Sequence, residues 1–88
     1  GVPDPIGVFG TTAGLREKHG AHRVYDMPIA ENAMTGVALG SCLTGMRPVM
    51  THMRVEFAMT AMDQICNQAA KWHYMFGGQS PVPLTMRM

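Results

Sequence analysis

An acid at position 31 stands where a carboxyl group could act on a ligand. Asp26-Met27-Pro28-Ile29-Ala30-Glu31-Asn32 reads as a strand end, a Pro turn and the opening of a Gly-containing helix. In open α/β sheets ligands settle beyond the carboxyl ends of strands, where Glu31 would lie. The same placement serves a plainer purpose, because an acid in a first helical turn complements the helix dipole for about 0.3–1 kcal/mol. Four His (His19, His22, His52, His73) and the run Met50-Thr51-His52-Met53 offer imidazole and thioether groups of the kind Cu(I) takes. Alternation along a strand sends His52 and Met53 to opposite faces, so no compact ligand set forms and no metal site is assigned. The ten Met are better suited to filling irregular gaps between helices and sheet.

The elements that must hold these groups follow from spacing and punctuation. Residues 1–5 carry two prolines and read as an arriving loop. Thr11 or Thr12 can cap a helix over 12–19 that Gly20 ends. Residues 23–26 are β-rich and stop at Pro28, which predicts a short strand. From Ala30 to Gly45, Met34, Val37, Ala38, Ser41 and Cys42 share one helical stripe. Gly36 and Gly40, four apart on that helix, weaken it by roughly 1 kcal/mol each and permit close approach, either by another helix or by the chain's own sheet. Residues 47–53 predict a second strand, with Pro48 at its start. Ala58, Met62, Ile65, Ala69, Trp72 and Phe76 step by three and four, which predicts one long helix over 56–76 ended by Gly77-Gly78. Residues 81–86 predict a third strand. The alternation of helix and strand points to an α/β fold with a parallel sheet and right-handed crossovers.

Composition removes several function classes. The chain has 88 residues, 15% of them charged, a net charge of +1 and 47% apolar residues. That length allows one domain at most. Charge this sparse forms no basic patch able to hold a phosphate backbone, so nucleic acid is not the expected partner. No apolar run approaches the roughly 18–20 residues that cross a bilayer, and the first residues lack the basic-then-apolar order of a signal peptide. Two cysteines, Cys42 and Cys66, lie within amphipathic segments, which suits a reducing, intracellular compartment. A start at Gly1 without Met and a finish at Met88 inside an apolar run predict a piece of a longer protein.

A longer pattern sharpens the expectation for Glu31. Glu31 is followed after four residues by Gly36, then Val37, Gly40 and Ser41. Around it stand Gly7-Val8-Phe9-Gly10, residues 23–31, Thr44-Gly45-Met46-Arg47-Pro48-Val49, Met62-Asp63-Gln64-Ile65, Ala69-Ala70-Lys71 and residues 74–79. In order and spacing this series closely resembles the thiamine-diphosphate enzymes, and among them the β subunits of the E1 component of 2-oxo acid dehydrogenases. The resemblance implies an incomplete transketolase-like pyrimidine-binding domain of parallel-sheet α/β fold over residues 1–88. It implies that Glu31 is the catalytic acid, sharing a proton with N1′ of the aminopyrimidine so that the thiazolium C2 proton is lost within the same bound cofactor. Such a role asks for a raised Glu31 pKa, hence desolvation by an apolar wall. Phe57, otherwise an ordinary core aromatic, matches the family residue that stacks on the pyrimidine. Met53 matches an apolar position beside the ring, and Gly36 and Gly40 fall where the family has subunit contacts.

The same resemblance implies what this chain lacks. The Gly-Asp-Gly…Asn pattern that holds Mg²⁺ and the diphosphate does not occur here and belongs to the α subunit in two-chain members. The expected partners are therefore an E1 α-type subunit in an α2β2 assembly and a 2-oxo acid, with thiamine diphosphate as cofactor. The expected place is the cytoplasm or mitochondrial matrix. By itself the chain is expected to be inactive. Leu84 matches a carbonyl position of a monovalent-cation site, whose other ligands would lie beyond Met88, and no site is assigned to it. Two alternatives remain: a non-catalytic assembly module of the same fold, and another thiamine-diphosphate enzyme such as a transketolase.

Overall fold

The computed structural model describes residues 10–88. The arriving loop expected over residues 1–5 and the Gly7–Phe9 part of the family-like series lie outside the described residues. Among the described residues the backbone forms four α-helices and two strands, α1 (Leu15–His19), α2 (Glu31–Leu43), β1 (Val49–Thr51), α3 (Val55–Ala58), α4 (Trp72–Met75) and β2 (Thr85–Arg87), with two further helical segments between α3 and α4.

Helix α2 is the longest, and its ends show why it stops where it does. Glu31 opens it without any side-chain cap, so its acid in the first turn is what complements the exposed N–H groups. At the far end Gly45 takes φ 91°, and the N–H groups of Gly45 and Met46 bond the carbonyls of Cys42 and Ser41 at 3.1 Å each. Only a residue without a Cβ enters that left-handed turn cheaply, which is why the helix ends at the glycine the sequence offered. The buried face is Thr35, Leu39 and Cys42. The expected stripe differs: Cys42 is in the core, whereas Val37 is 54% exposed. Met34, Val37, Ala38 and Ser41 line an open cavity. The buried face is thus shifted by about one residue, with Thr35, Leu39 and Cys42 turned to the core and Met34, Val37, Ala38 and Ser41 turned to the cavity.

Strands β1 and β2 pair in parallel, Val49 with Thr85, Met50 with Met86 and Thr51 with Arg87. The ladder is extended at both ends by Thr85 N–H to Pro48 O (3.1 Å) and His52 N–H to Arg87 O (2.9 Å). Residues 23–26 form no strand: the N–H groups of Arg23 and Val24 both turn back to the Gly20 carbonyl. Two of the four donors of that segment are thus spent on a turn rather than a ladder.

The expected long helix over 56–76 is broken into turns of different width. After α3, residues Met59–Ala61 tighten to a 3₁₀ turn and Asp63–Ala69 widen to π-type bonding, with Ala70 N–H reaching Ile65 O at 3.0 Å. The Thr60 hydroxyl bonds the Phe57 carbonyl at 2.7 Å, inside the tight turn. A step of three follows Ala58, so Ala61 enters the core and Met62 stays 37% exposed. The core is small: Leu39, Cys42, Met50, Ala58 and Ala61, with Thr35 and His52 as its buried polar members.

Candidate functional site

Glu31, Met53 and Phe57 line one cavity of about 1190 Å³. Three elements bring them there. Glu31 is the first residue of α2, Met53 follows the end of β1, and Phe57 lies in α3, whose start is fixed by Phe57 N–H to Arg54 O at 3.1 Å. Glu31 is half-buried, and its carboxylate makes no hydrogen bond or ion pair among the described residues. Met53 is 37% and Phe57 49% exposed, so the apolar wall expected around Glu31 is only partly built by this chain. The unengaged Glu31 carboxyl group and the Phe57 ring thus both belong to the lining of this open cavity.

Behind Glu31 lies a polar pair that sequence spacing did not single out as a unit. Thr35, one turn into α2 and fully buried, donates its hydroxyl hydrogen to the Glu31 carbonyl at 2.6 Å. Its oxygen also meets His52 Nε2 at 3.3 Å. A hydroxyl has one hydrogen, already given to the carbonyl, so Nε2 must be the donor in the second contact. His52 is therefore the Nε2–H tautomer, 2% exposed, with a buried Nδ1 that has no partner. Burial pushes its imidazole below the ordinary 6.5, and the nearby negative charge of Glu31 partly opposes that. One signal was available: Thr35 stands four residues after Glu31, the spacing at which a helical Thr bonds back to the preceding turn. The contact to His52 had no sequence signal.

The two glycines separate. At Gly36 an added Cβ would lie 3.3 Å from Gln64 Oε1, so the close approach there is made by the chain's own Asp63–Ala69 segment. At Gly40 an added Cβ would meet nothing within 4 Å. Neither glycine touches the cavity of Glu31. Among the described residues no three His, Cys, Asp or Glu side chains converge as a metal site, and no helix is long and apolar enough to cross a membrane. Cys42 is buried, which raises its thiol pKa, and Cys66 is exposed.

Comparison with known proteins places this geometry in context. Residues 5–88 match the family described as transketolase, pyrimidine binding domain. Over 86 residues, 98% of the chain, it is 47% identical to the pyruvate dehydrogenase E1 component subunit beta of Rhizobium meliloti, covering 19% of that protein. It is 42% identical over 81 residues to the human mitochondrial pyruvate dehydrogenase E1 component subunit beta, covering 92% of the chain and 23% of the human protein. Over 81 residues, 92% of the chain, it is 47% identical to the acetoin:2,6-dichlorophenolindophenol oxidoreductase subunit beta of Cupriavidus necator, covering 24% of that protein. The chain thus spans about a fifth to a quarter of the length of the curated relatives it matches.

Proposed function

The chain belongs to the transketolase pyrimidine-binding domain family, and from that premise we propose that it forms the aminopyrimidine-binding half of a thiamine diphosphate site in an E1-type 2-oxo acid dehydrogenase. The observation that carries this is the meeting of Glu31, Met53 and Phe57 at one cavity, with the Glu31 carboxylate unengaged. When bound, thiamine diphosphate supplies the electron sink for decarboxylation of the 2-oxo acid, whose acyl group then passes to a lipoyl carrier. Glu31 holds a proton at its carboxyl oxygen and shares it with a ring nitrogen presented to the cavity. Phe57 offers the face of its ring, and Met53 fills the flank and excludes water. A carboxyl group in that role is helped by shelter from water, of which Phe57 and Met53, themselves partly exposed, provide only a part.

That cover is assigned to the rest of the assembly. An E1 α-type subunit, in an α2β2 complex, would close the cavity and hold Mg²⁺ and the diphosphate, for which this chain offers no acidic cluster among its described residues. The domain over residues 1–88 is then partial, the isolated chain is inactive, and the Gly40 flank of α2 serves a subunit contact. The human relative's name carries the word mitochondrial, which supports the mitochondrial matrix, or the cytoplasm in a bacterial cell, as the place of the complex.

The test replaces Glu31→Gln in the complete complex. Turnover of the 2-oxo acid falls by at least about 10²-fold, the usual contribution of a positioned acid or base, and thiamine diphosphate binding weakens. Near-normal turnover and affinity would defeat the assignment and leave a non-catalytic assembly module of the same fold.

A further inference from the structure

Two buried polar side chains lie behind Glu31 that the proposed chemistry does not use. The Thr35 hydroxyl ties the backbone of Glu31 to the ring of His52 through contacts of 2.6 and 3.3 Å. Both partners are sealed from solvent, Thr35 at 0% and His52 at 2% exposure. His52 and Glu31 contribute to the wall of the same cavity, and Nδ1 of His52 is left without a partner. A buried acceptor left unmatched is uncommon and asks for an explanation, because it forfeits the hydration it had in the unfolded chain.

We propose that His52 is a positioning residue for Glu31: through Thr35 it fixes the first turn of α2, and the vacant Nδ1 is the place where a proton, once taken up, turns the ring into a counter-charge for the Glu31 carboxylate. This rests on the reading of Glu31 as the pyrimidine-contacting acid. While His52 is neutral, Glu31 has no cation beside it and is free to hold its proton for a bound ring. Once Nδ1 is protonated, the imidazolium stabilises the Glu31 anion and competes with that proton-sharing contact. Other charged side chains line the same cavity, Asp26, Arg16, Arg23, Arg47 and Arg54 among them, and Arg87 on β2 keeps its charge beside the ring. Arg54 before α3 pairs with Glu56 on α3 at 3.5 Å, and the Arg87 guanidinium on β2 bonds the Thr11 hydroxyl at 3.1 Å. On α2, Glu31 is the charge that acts on the imidazole among the described residues.

The experiment measures thiamine diphosphate affinity by calorimetry between pH 5.5 and 8 in the complete complex with Mg²⁺, in buffers of different ionisation heat so that proton exchange is counted. Four proteins are compared: wild type, His52→Gln, His52→Leu and Glu31→Gln. Gln keeps a donor for the Thr35 oxygen and does not titrate; Leu keeps neither property. In the wild type, affinity falls about tenfold from pH 8 to pH 5.5 through a step below pH 6.5. His52→Gln abolishes that step and stays within about threefold of wild type at pH 8. His52→Leu abolishes the step and also loses about tenfold at pH 8, so that Gln rescues where Leu does not. A step that persists in His52→Gln would overturn the proposal, as would equal affinities of the Gln and Leu variants at pH 8. Unchanged affinity in Glu31→Gln would instead overturn the underlying site assignment.

Discussion

Replacing Thr35→Val isolates the contact between α2 and the end of β1. Valine keeps the shape of threonine in a fully buried position, so little packing changes. What changes is the hydroxyl: its bond to the Glu31 carbonyl at 2.6 Å disappears and the His52 Nε2–H, 3.3 Å away, loses its acceptor. The ring would then be buried with both nitrogens unmatched, since Nδ1 already has no partner. Leaving one such group unmatched costs about 1–3 kcal/mol. In a His52→Leu background the orphaned donor is gone, and the same Thr35→Val change loses only the bond to the Glu31 carbonyl, at a cost of about 0.5–1.5 kcal/mol. The expected coupling is therefore on the order of 1–2 kcal/mol, well above the few tenths at which distant sites add. Hydrogen exchange of the α2 amides in the full-length protein, read by mass spectrometry for all four members of the cycle, reports the local opening free energy. Equal costs of Thr35→Val in both backgrounds would refute the tautomer and the contact together.

Other expectations concern pH, helix propensity and thiol access. Burial holds the His52 imidazole below its ordinary 6.5, so between that lowered value and about 6.5 the unfolded chain binds more protons than the folded one. The contribution is complete above this window and is lost as pH falls through it, with a slope of at most about 1.4 kcal/mol per pH unit. Unfolding midpoints against pH should show that slope and lose it in His52→Gln; an unaltered slope would locate the titration elsewhere. At Gly40 a Cβ meets nothing within 4 Å and φ is helical, so Gly40→Ala should strengthen α2 by about 0.8–1 kcal/mol. If that flank is a subunit contact, the same methyl group weakens assembly in sedimentation velocity, and undisturbed assembly would remove Gly40 from the interface. Cys66 is exposed, whereas Cys42 is buried with a raised thiol pKa, so a thiol reagent should label Cys66 first, and faster labelling of Cys42 would contradict its burial.

Punctuation was the most legible part of the fold. Gly45 and Gly77-Gly78 end their helices as expected, each in a left-handed turn that side chains rarely enter. The parallel relation of the two observed strands also followed from the alternation of elements, because a crossover of this length returns the chain in the same direction. Periodicity was less reliable. Spacing of three and four over 56–76 promised one helix, yet the turn width changes along it, and with it the residue that reaches the core. Such changes depend on side chain to backbone bonds like that of Thr60, which a hydrophobic pattern does not encode.

By itself the sequence determined the family kinship and the residue types from which the roles proposed for Glu31, Phe57 and Met53 are drawn, because local order and spacing survive in the chain without any knowledge of packing. Tertiary structure alone decided that these three share a cavity, that Gly36 is pressed by Gln64 while Gly40 is open, and that α2 turns Thr35 inward. It also decided the tautomer of His52. A hydrogen bond spanning 17 residues depends on how helix and strand are docked, and docking is set by the whole set of contacts rather than by any segment.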